Sequence, residues 1–168
     1  MKKIIPISIF TLLLDILTKQ IVIQTMLEDQ SIPIIKNFFH LTYAKNTGVA
    51  FSFLEGKVPF IILMTLIAII FILKYLKEQI PTRIETICYG LILGGALGNL
   101  LDRLLYGYVI DFFDFRIFSY HFPIFNIADS FIVVGIFLLL IKSLKEDKKN
   151  EPTKNNLKHN QKIKESRD

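Results

Sequence analysis

Four long apolar runs alternate with polar segments along this chain. A helix that crosses a lipid bilayer needs about 20 mostly apolar residues, and four stretches meet that requirement: residues 4–23, 58–76, 84–105 and 124–141. The second run is almost uniformly apolar, whereas Asp15 and Lys19 interrupt the first and Asp129 lies near the start of the fourth. The pattern predicts an all-α integral membrane protein with four transmembrane helices.

The segment between the first two runs has a different pattern. Residues 36–53 read KNFFHLTYAKNTGVAFSF, which is rich in aromatic and β-branched residues and carries a turn signal at 46–48. Such a segment favours a small pair of strands over a helix. Because aromatic side chains suit the level of the lipid headgroups, we expect this ribbon to lie on the outer membrane surface.

Composition and charge agree with a membrane protein. The chain is 52% hydrophobic with a mean hydropathy of +0.46, which is too apolar for an ordinary soluble domain. Basic residues cluster before the first run, between the second and third, and after the fourth: Lys2, Lys3, Lys74, Lys77, Arg83, Lys142, Lys145, Lys148 and Lys149. By the positive-inside rule these regions share one side, which predicts that both termini are cytoplasmic.

The apolar runs also set the domain organisation. We expect one transmembrane domain over residues 1–144 and a basic, disordered cytoplasmic tail over 145–168, because the tail cannot bury enough apolar area to fold alone. The tail is a solvated segment or contacts anionic headgroups; without interleaved aromatic residues it predicts no nucleic-acid partner. A cleaved signal peptide is the alternative for the first run, but no small-residue cleavage site follows it. The single Cys88, inside the third run, predicts neither a disulfide nor a Cys-rich metal site.

Polar residues that are unusual in a membrane protein gather at one end of the four runs. They lie near the outer helix ends or in the outer loops: Asp15, Lys19, Asn46, Gly48, Asn99, Asp102, Arg103, Asp111, Asp114, Asn126 and Asp129. Ionisable groups at membrane depth usually face a protein interior or a cavity, and they are candidates for function. The sequence therefore predicts a functional site at the outer face.

Each of these groups also has a purely structural interpretation. Asp15 with Lys19 fits an ion pair within a helix, and Asp102 with Arg103 fits an interfacial anchor. Asn126 with Asp129 fits a helix N-cap and its N3 partner. Gly94 with Gly98 fits close helix packing.

Two of the acids suggest hydrolysis. Two carboxylates that share one site cannot both ionise cheaply, so one keeps its proton and acts as an acid while the other acts as a base and activates water. Asp111 and Asp129 suit these roles without a metal or cofactor. Asp129 lies near a positive helix start and is the expected anion, whereas Asp111, among apolar neighbours, is the expected proton holder.

Other classes of protein remain open. A Ser–Lys hydrolase would use Lys19 as base and Ser130 or Ser52 as nucleophile, although Asp15 keeps the neighbouring Lys19 protonated. A proton-coupled transporter would also place acids in a helix bundle, but usually at the midplane and with internal repeats. A metal site is disfavoured by the lack of clustered His or Cys.

Five motifs in order add to this interpretation. They read DILTK at 15–19, NTGVAFS at 46–52, GGALGNLLDR at 94–103, GYVIDF at 107–112 and FNIADS at 125–130. With these motifs in a four-span chain, the sequence resembles the bacterial lipoprotein signal peptidases, signal peptidase II, from residue 1 to about 144.

The resemblance implies an aspartic-type endopeptidase of the bacterial cytoplasmic membrane, with a four-helix bundle and a small extracytoplasmic β-cradle in the outer loops. Its substrates would be prolipoproteins that carry a diacylglyceryl-modified cysteine and are cut just before that cysteine. It implies membrane lipids as further partners, no cofactor, and inhibition by the cyclic peptide globomycin. A monomer would suffice. We also expect the first and third spans to flank a lipid-facing opening for the diacylglyceryl group.

The same resemblance implies roles for individual residues. Asp111 and Asp129 match the catalytic aspartates, whereas Asp114 matches no catalytic position. Positions that support the site or contact the substrate are matched by Asp15, Lys19, Asn46, Gly48, Asn99, Asp102, Arg103 and Asn126.

Overall fold

The computed structural model describes residues 2–49, 53–117 and 120–165, with residues 120–121 and 147–165 described by their backbone alone. Four helices account for most of this part of the chain: α1 (Ile4–Thr25), α2 (Val58–Glu78), α3 (Arg83–Tyr106) and α4 (Ile127–Glu165). Each contains a segment long and apolar enough to cross a membrane, and in α4 that segment is Ile127–Glu146. The four predicted spans are therefore confirmed, and the chain is a multi-pass membrane protein.

Local sequence signals set the ends of α3. At its start, Thr82 and Glu85 form a reciprocal capping box, in which the Thr82 backbone N–H donates to Glu85 Oε2 over 2.7 Å. At its end, Gly107 takes the left-handed conformation with φ of 80°, which a residue without a Cβ adopts readily. The chain can therefore turn sharply from α3 into the next strand.

The fourth helix differs from its predicted bounds at both ends. It begins at Ile127 instead of residue 124, because Phe125 makes a β-bridge with Phe113 and Asn126 caps the helix. Its helical backbone continues to Glu165, whereas composition predicts disorder from residue 145. Lys and Glu are frequent in this segment and have high intrinsic helix propensity. The division into a transmembrane domain and a cytoplasmic tail stays a prediction.

Glycine residues bring α3 into close contact with two other helices. A Cβ added at Gly94 would lie 2.5 Å from the Ser8 carbonyl oxygen of α1, and one at Gly95 would lie 2.5 Å from the Ala128 carbonyl oxygen of α4. Small residues of this kind allow helix backbones to approach closely within a membrane. The packing predicted for Gly94 is confirmed, and α3 is the central helix of the bundle.

The second helix is held much less closely than the others. It packs against α3 and makes no comparable contact with α1 or α4 among the described residues. Of its side chains only Ile61, Ile69 and Leu76 are buried, and most of the others are apolar and exposed. This exposure suits a helix surrounded by lipid, and it leaves a groove on each side of α2.

The loops between α1 and α2 and between α3 and α4 form an antiparallel sheet in the order β1 (Ser31–Ile35), β2 (Phe39–Asn46), β3 (Val109–Ile117) and β4 (Tyr120–His121). The predicted β-structure in these loops is confirmed, but its pairing differs from the strand pair predicted within 36–53. The hairpin turn joins β1 to β2 at residues 36–38, and β2 pairs with β3 from the second loop. The turn at 46–48 only ends β2, since its partner strand lies more than 60 positions further along the chain.

The sheet is anchored on the C-terminal end of α1. Ile110 and Phe112 of β3 and Tyr43 of β2 are buried in one cluster with Val22 and Met26 from the end of α1. Successive side chains of a strand point to opposite faces. Asp111, between Ile110 and Phe112, therefore points away from this cluster.

Candidate active site

A buried cluster of charged side chains lies where α1 meets α3. The Lys19 ammonium is 2.8 Å from Asp15 Oδ2 and 2.8 Å from Asp102 Oδ2, and it donates a hydrogen bond of 3.0 Å to Asn99 Oδ1. The Lys19 side chain is 2% exposed. We call these four residues the Lys19 cluster. The predicted pair of Asp15 and Lys19 is present, and Asp102 joins it as a second anion.

The acids of the Lys19 cluster reach other elements through backbone groups. Asp15 Oδ1 accepts a hydrogen bond of 3.0 Å from the Ala128 N–H at the start of α4. Asp102 Oδ2 accepts one of 3.1 Å from the Ile110 N–H in β3. The cluster thus ties α1 and α3 to the segments on which Asp129 and Asp111 lie. Asp102 is not part of an interfacial anchor.

Gly98 makes room for the Lys19 cluster. A Cβ at this position would lie only 2.3 Å from Asp15 Oδ2, a separation that no real Cβ contact shows. Gly98 was predicted to serve helix packing alone. It also leaves the space that the Asp15 carboxylate occupies, a role that spacing alone did not reveal.

Asp111 is held by two asparagine side chains. Its Oδ2 accepts a hydrogen bond of 2.9 Å from Asn46 Nδ2, and its Oδ1 accepts one of 2.7 Å from Asn126 Nδ2. The residue is 1% exposed. Burial raises the pKa of Asp111 to about 7, and the charge of nearby Asp129 acts in the same direction. A carboxyl in this position favours its protonated form.

Asp129 lies in the first turn of α4 and is half-buried. Its Oδ1 accepts a hydrogen bond of 2.7 Å from Asn99 Nδ2, and its Oδ2 accepts one of 3.2 Å from the Asn126 N–H. In return the Asp129 N–H donates to Asn126 Oδ1 over 2.9 Å. The predicted capping pair is confirmed, and the helix start together with these donors stabilises an anion.

Asn99 and Asn126 connect the charged groups to one another. Asn126 Nδ2 donates to Asp111 and also to Asn99 Oδ1, over 3.0 Å. Asn99 accepts from Lys19 through the same oxygen while its Nδ2 donates to Asp129. The two amides therefore fix the position of Asp111 relative to Asp129. We call Asp111 and Asp129 the acid pair.

Arg103 and Gly48 form the outer boundary of the site. Arg103 donates a hydrogen bond of 2.6 Å from Nη2 to the Gly48 carbonyl oxygen, and the Gly48 N–H donates to Asn46 Oδ1 over 2.9 Å. Arg103 is 8% exposed, so it does not reach headgroups as an interfacial anchor would. It fixes the loop that carries Asn46. Residues 50–52 of the NTGVAFS motif lie outside the described residues.

Asp114 has a separate environment on the opposite face of the sheet. Its Oδ2 accepts hydrogen bonds from Arg116 Nη2 over 2.5 Å and from Thr42 Oγ1 over 2.8 Å, while Arg116 also donates to Ser31 Oγ over 3.0 Å. Burial acts to raise the pKa of Asp114, but the bonds from Arg116 and Thr42 outweigh it and hold that pKa below its ordinary value. Asp114 links β1, β2 and β3.

An apolar groove of about 1040 Å³ leads to the site. Side chains of α2, α3 and α4 line it, and Asn46, Asn99, Arg103 and Asp129 lie at its polar end. The predicted opening between the first and third spans is wrong, because α1 and α3 pack closely through their glycines. The opening lies between α2 and α4, since both pack on α3 without closing on each other. We call it the active-site groove.

The Ser–Lys alternative does not fit this geometry. The Lys19 ammonium is bound by Asp15, Asp102 and Asn99, and none of these partners is a serine. The Ser130 hydroxyl donates to the Asn126 carbonyl oxygen over 2.9 Å. Ser52, the other predicted nucleophile, lies outside the described residues.

Comparison with known proteins identifies the family of this chain. The family model described as signal peptidase (SPase) II matches residues 7–145 of this chain. The chain belongs to the signal peptidase II family. It is 44% identical over 140 residues to the lipoprotein signal peptidase of Halothermothrix orenii, an alignment that covers 83% of this chain and 94% of the relative. The lipoprotein signal peptidase of Nostoc punctiforme is 46% identical over 134 residues, covering 79% and 84% of the two chains.

The fold also matches solved structures. A bacterial membrane enzyme determined by the in meso method at 2.3 Å resolution superimposes with a TM-score of 0.81 and 36% identity, covering 88% of this chain and 90% of that one. A second, at 1.9 Å resolution, gives a TM-score of 0.77 and 37% identity over 86% and 94%. Membership of the signal peptidase II family identifies a peptidase and removes the support for a transporter.

The structure brings the predicted site residues of this signal peptidase II homologue into one connected network, with Asp114 apart from it. Sequence reasoning missed the parts that backbone atoms and glycine play. The N–H groups of Ala128 and Ile110 bind the acids of the Lys19 cluster, and Gly98 leaves room for one of them. Ala128, Ile110 and Gly98 have no polar side chain that would identify them in the sequence as part of a site. The position of Gly98 one residue before Asn99 was the available signal.

Proposed function

We propose that this protein is an aspartic endopeptidase that removes the signal peptide from diacylglyceryl-modified prolipoproteins, cutting immediately before the lipidated cysteine. Lipoprotein signal peptidases are its relatives, which supports the substrate class. The observation that carries the catalytic part of the proposal is the acid pair. One asparagine, Asn126, donates from its side chain to Asp111 and from its backbone to Asp129.

The first step is attack by water. Asp129 faces the active-site groove as an anion and takes a proton from a water molecule, whose oxygen attacks the carbonyl carbon of the scissile peptide bond. Asp111 gives its proton to the carbonyl oxygen. The product is a neutral gem-diol, with Asp129 now protonated and Asp111 ionised. The raised pKa of Asp111 supports its role as the acid.

The second step breaks the C–N bond. Asp129 returns its proton to the departing nitrogen while Asp111 takes a proton from one hydroxyl of the gem-diol. The signal peptide leaves with a new carboxyl group, and the cysteine residue leaves with a free α-amine. Both aspartates end in their starting states. No metal ion, cofactor or covalent intermediate is needed for these steps.

The active-site groove suits a substrate that is largely apolar. Its walls are helical side chains of α2 and α4, and its polar end holds Asp129 and Arg103. A membrane-embedded signal helix and the acyl chains of the modified cysteine would lie against the apolar walls. Asp111 is only 1% exposed, so the bound peptide has to displace the Asn46 side chain before the Asp111 proton reaches it.

We place the acid pair toward the outer face of the bacterial cytoplasmic membrane, with both termini in the cytoplasm. The ends of α1 and α3 and the starts of α2 and α4 lie on the side of the sheet. The basic residues at the opposite helix ends support a cytoplasmic location for that side. Lipoproteins are anchored on the outer surface, so the scissile bond would be presented where the acids lie.

The test uses purified full-length protein and a synthetic prolipoprotein peptide with a diacylglyceryl-modified cysteine. Mass spectrometry of the products gives the position of the cut, which we expect immediately before the cysteine and only in the lipidated peptide. Asp111→Asn and Asp129→Asn should each lower the rate by at least about 10³-fold, within the range of general acid–base catalysis. Cleavage by both variants at near the parental rate would contradict the aspartic mechanism.

The matched control is Asp29→Asn. Asp29 is an exposed outer-loop residue with φ of 61°, a conformation that Asn adopts readily. We expect this variant to cleave like the parent. Asp114 is less suitable as a neutral control, because it is buried and paired with Arg116.

A further inference from the structure

A second groove lies at the opposite end of the bundle from the acid pair. It has a volume of about 310 Å³ and is bounded by α1, α2 and α3 through Ile5, Leu12, Leu73, Leu76 and Leu93. Ile5 lies at the start of α1, and Leu73 and Leu76 lie near the end of α2, whereas the acid pair lies near the opposite helix ends. The cavity is within the size range of small-molecule sites, about 300–1,000 Å³. Peptide hydrolysis makes no use of it.

Four lysine residues are next in sequence to residues that line this second groove or to the start of α1. Lys2 and Lys3 directly precede the α1 residues that line it, and Lys77 follows Leu73 by four positions, on the same face of α2. Lys74 is next to Leu73. All four lysines are exposed, and none makes an ion pair with a described residue. The acid on these two segments is Glu78, which is also exposed.

Other lysines of the chain are used differently. Lys45 pairs with Glu28 at 2.5 Å, and Lys142 pairs with Glu85 at 3.2 Å and Glu146 at 2.7 Å. Topology requires basic residues in the inner connections, but it does not require them beside an apolar cavity. An apolar groove with unpaired cations at one end is complementary to a molecule with a hydrocarbon chain and an anionic head.

We propose that the second groove is a binding site for an anionic phospholipid. One acyl chain lies along the Ile and Leu side chains between α1 and α2, and the phosphate lies among Lys2, Lys3 and Lys77. Basic pockets between transmembrane helices on the cytoplasmic side favour anionic headgroups. The ligand fills the gap beside α2, whose helix contacts are mainly with α3. The site is independent of the aspartate chemistry.

The experiment measures lipid binding to full-length protein in detergent by native mass spectrometry. Phosphatidylglycerol is the anionic probe, and phosphatidylcholine of the same chain length is the neutral one. We expect one phosphatidylglycerol to remain bound under conditions that remove phosphatidylcholine. Lys77→Gln should weaken phosphatidylglycerol binding about fivefold, and Lys2→Gln with Lys77→Gln about thirtyfold, from the typical contribution of a juxtamembrane lysine. Lys145→Gln, an exposed lysine of α4 away from the groove, should leave binding unchanged.

A second pair of variants tests the cavity itself. Leu73→Trp fills the groove, whereas Leu66→Trp places the same side chain on α2 outside both grooves; the parent residues are 39% and 41% exposed. We expect Leu73→Trp to lose the bound phosphatidylglycerol and Leu66→Trp to keep it, with both variants melting like the parent. Equal binding of the two lipids, or binding unaffected by Leu73→Trp and by the lysine variants, would overturn the proposal.

Discussion

Two groups of carboxylates lie side by side in this protein, and they differ in the partners that hold them. In the Lys19 cluster, Asp15 and Asp102 share a cation at 2.8 Å from each. In the acid pair, neither Asp111 nor Asp129 makes an ion pair among the described residues; amides and backbone N–H groups are their partners. The first group is neutralised and fixed, while the second retains a shared negative charge.

This difference underlies the proposal that the Lys19 cluster is structural and the acid pair catalytic. A buried carboxylate bound to a cation is part of an ion pair, and breaking such a pair from one side is strongly destabilising. A buried carboxylate beside a second acid has its pKa raised and can exchange a proton near neutral pH. Asn99 lies in both groups, since it accepts from Lys19 and donates to Asp129. The Lys19 cluster therefore holds the acid pair in position.

The largest expected effect is on activity and comes from the acid pair. Asp111→Asn should lower the cleavage rate by at least about 10³-fold with no large fall in the melting temperature. Folding raises the pKa of Asp111, so its ionisation costs stability as pH rises toward neutrality, and the amide removes that cost. Activity and thermal unfolding are measured on the same preparation. A large fall in melting temperature would show that Asp111 is structural.

The largest expected effect on stability comes from the Lys19 cluster. Lys19→Met leaves Asp15 and Asp102 without their cation, and breaking a buried ion pair from one side costs about 3–5 kcal/mol. Lys45→Met is the matched control, because its bridge to Glu28 is 32% and 51% exposed and such pairs contribute at most about 1 kcal/mol. Thermal unfolding in detergent checks both. Equal melting temperatures for the two variants would show that the cluster is not stabilising.

An intermediate effect is expected at Gly98. A methyl group there would meet Asp15 Oδ2 at 2.3 Å, and overpacking of this kind costs about 1–3 kcal/mol. The control is a double-mutant cycle with Asp15→Ala, which removes the obstructing carboxylate. We expect Gly98→Ala to cost less than half as much in that background. An equal cost in both backgrounds would mean that Gly98 acts only through helix packing.

The smallest effect is expected at Asp114, the acid outside both groups. Asp114→Asn keeps the shape of the side chain but weakens its bonds to Arg116 and Thr42, for a loss of about 1 kcal/mol. The pKa of Asp114 is lowered on folding, so its contribution is present above the unfolded pKa and disappears as pH falls through the folded one. Parent and variant should therefore converge in acid unfolding experiments. A constant difference at all pH values would exclude the ionic contribution.

Much of the fold follows from local patterns in the sequence. The four spans are visible as apolar runs, and the capping pair at the start of α4 is visible in the spacing of Asn126 and Asp129. The pairing of β2 with β3 could not be seen in this way, because the two strands come from different loops and meet only once the helices are assembled. The predicted strand pair was therefore placed at the wrong turn.

The site shows the same division between local and long-range information. The pair of Asp15 and Lys19 follows from a four-residue spacing, but the second anion, Asp102, comes from another helix. The position of the groove depends on which helices remain apart. The distance between α1 and α3 could not be predicted from the sequence. The opening was therefore expected between these two helices, whereas it lies between α2 and α4.

The shared charge of the acid pair is tested most directly by the pH dependence of kcat/KM for cleavage of the lipidated peptide. We expect a bell-shaped profile. Activity should fall in acid as Asp129 becomes protonated, and fall again as pH rises through the raised pKa of Asp111, about 7. A profile that rises with pH to a plateau, through a single ionisation, would contradict the proposal that one aspartate works protonated and the other ionised.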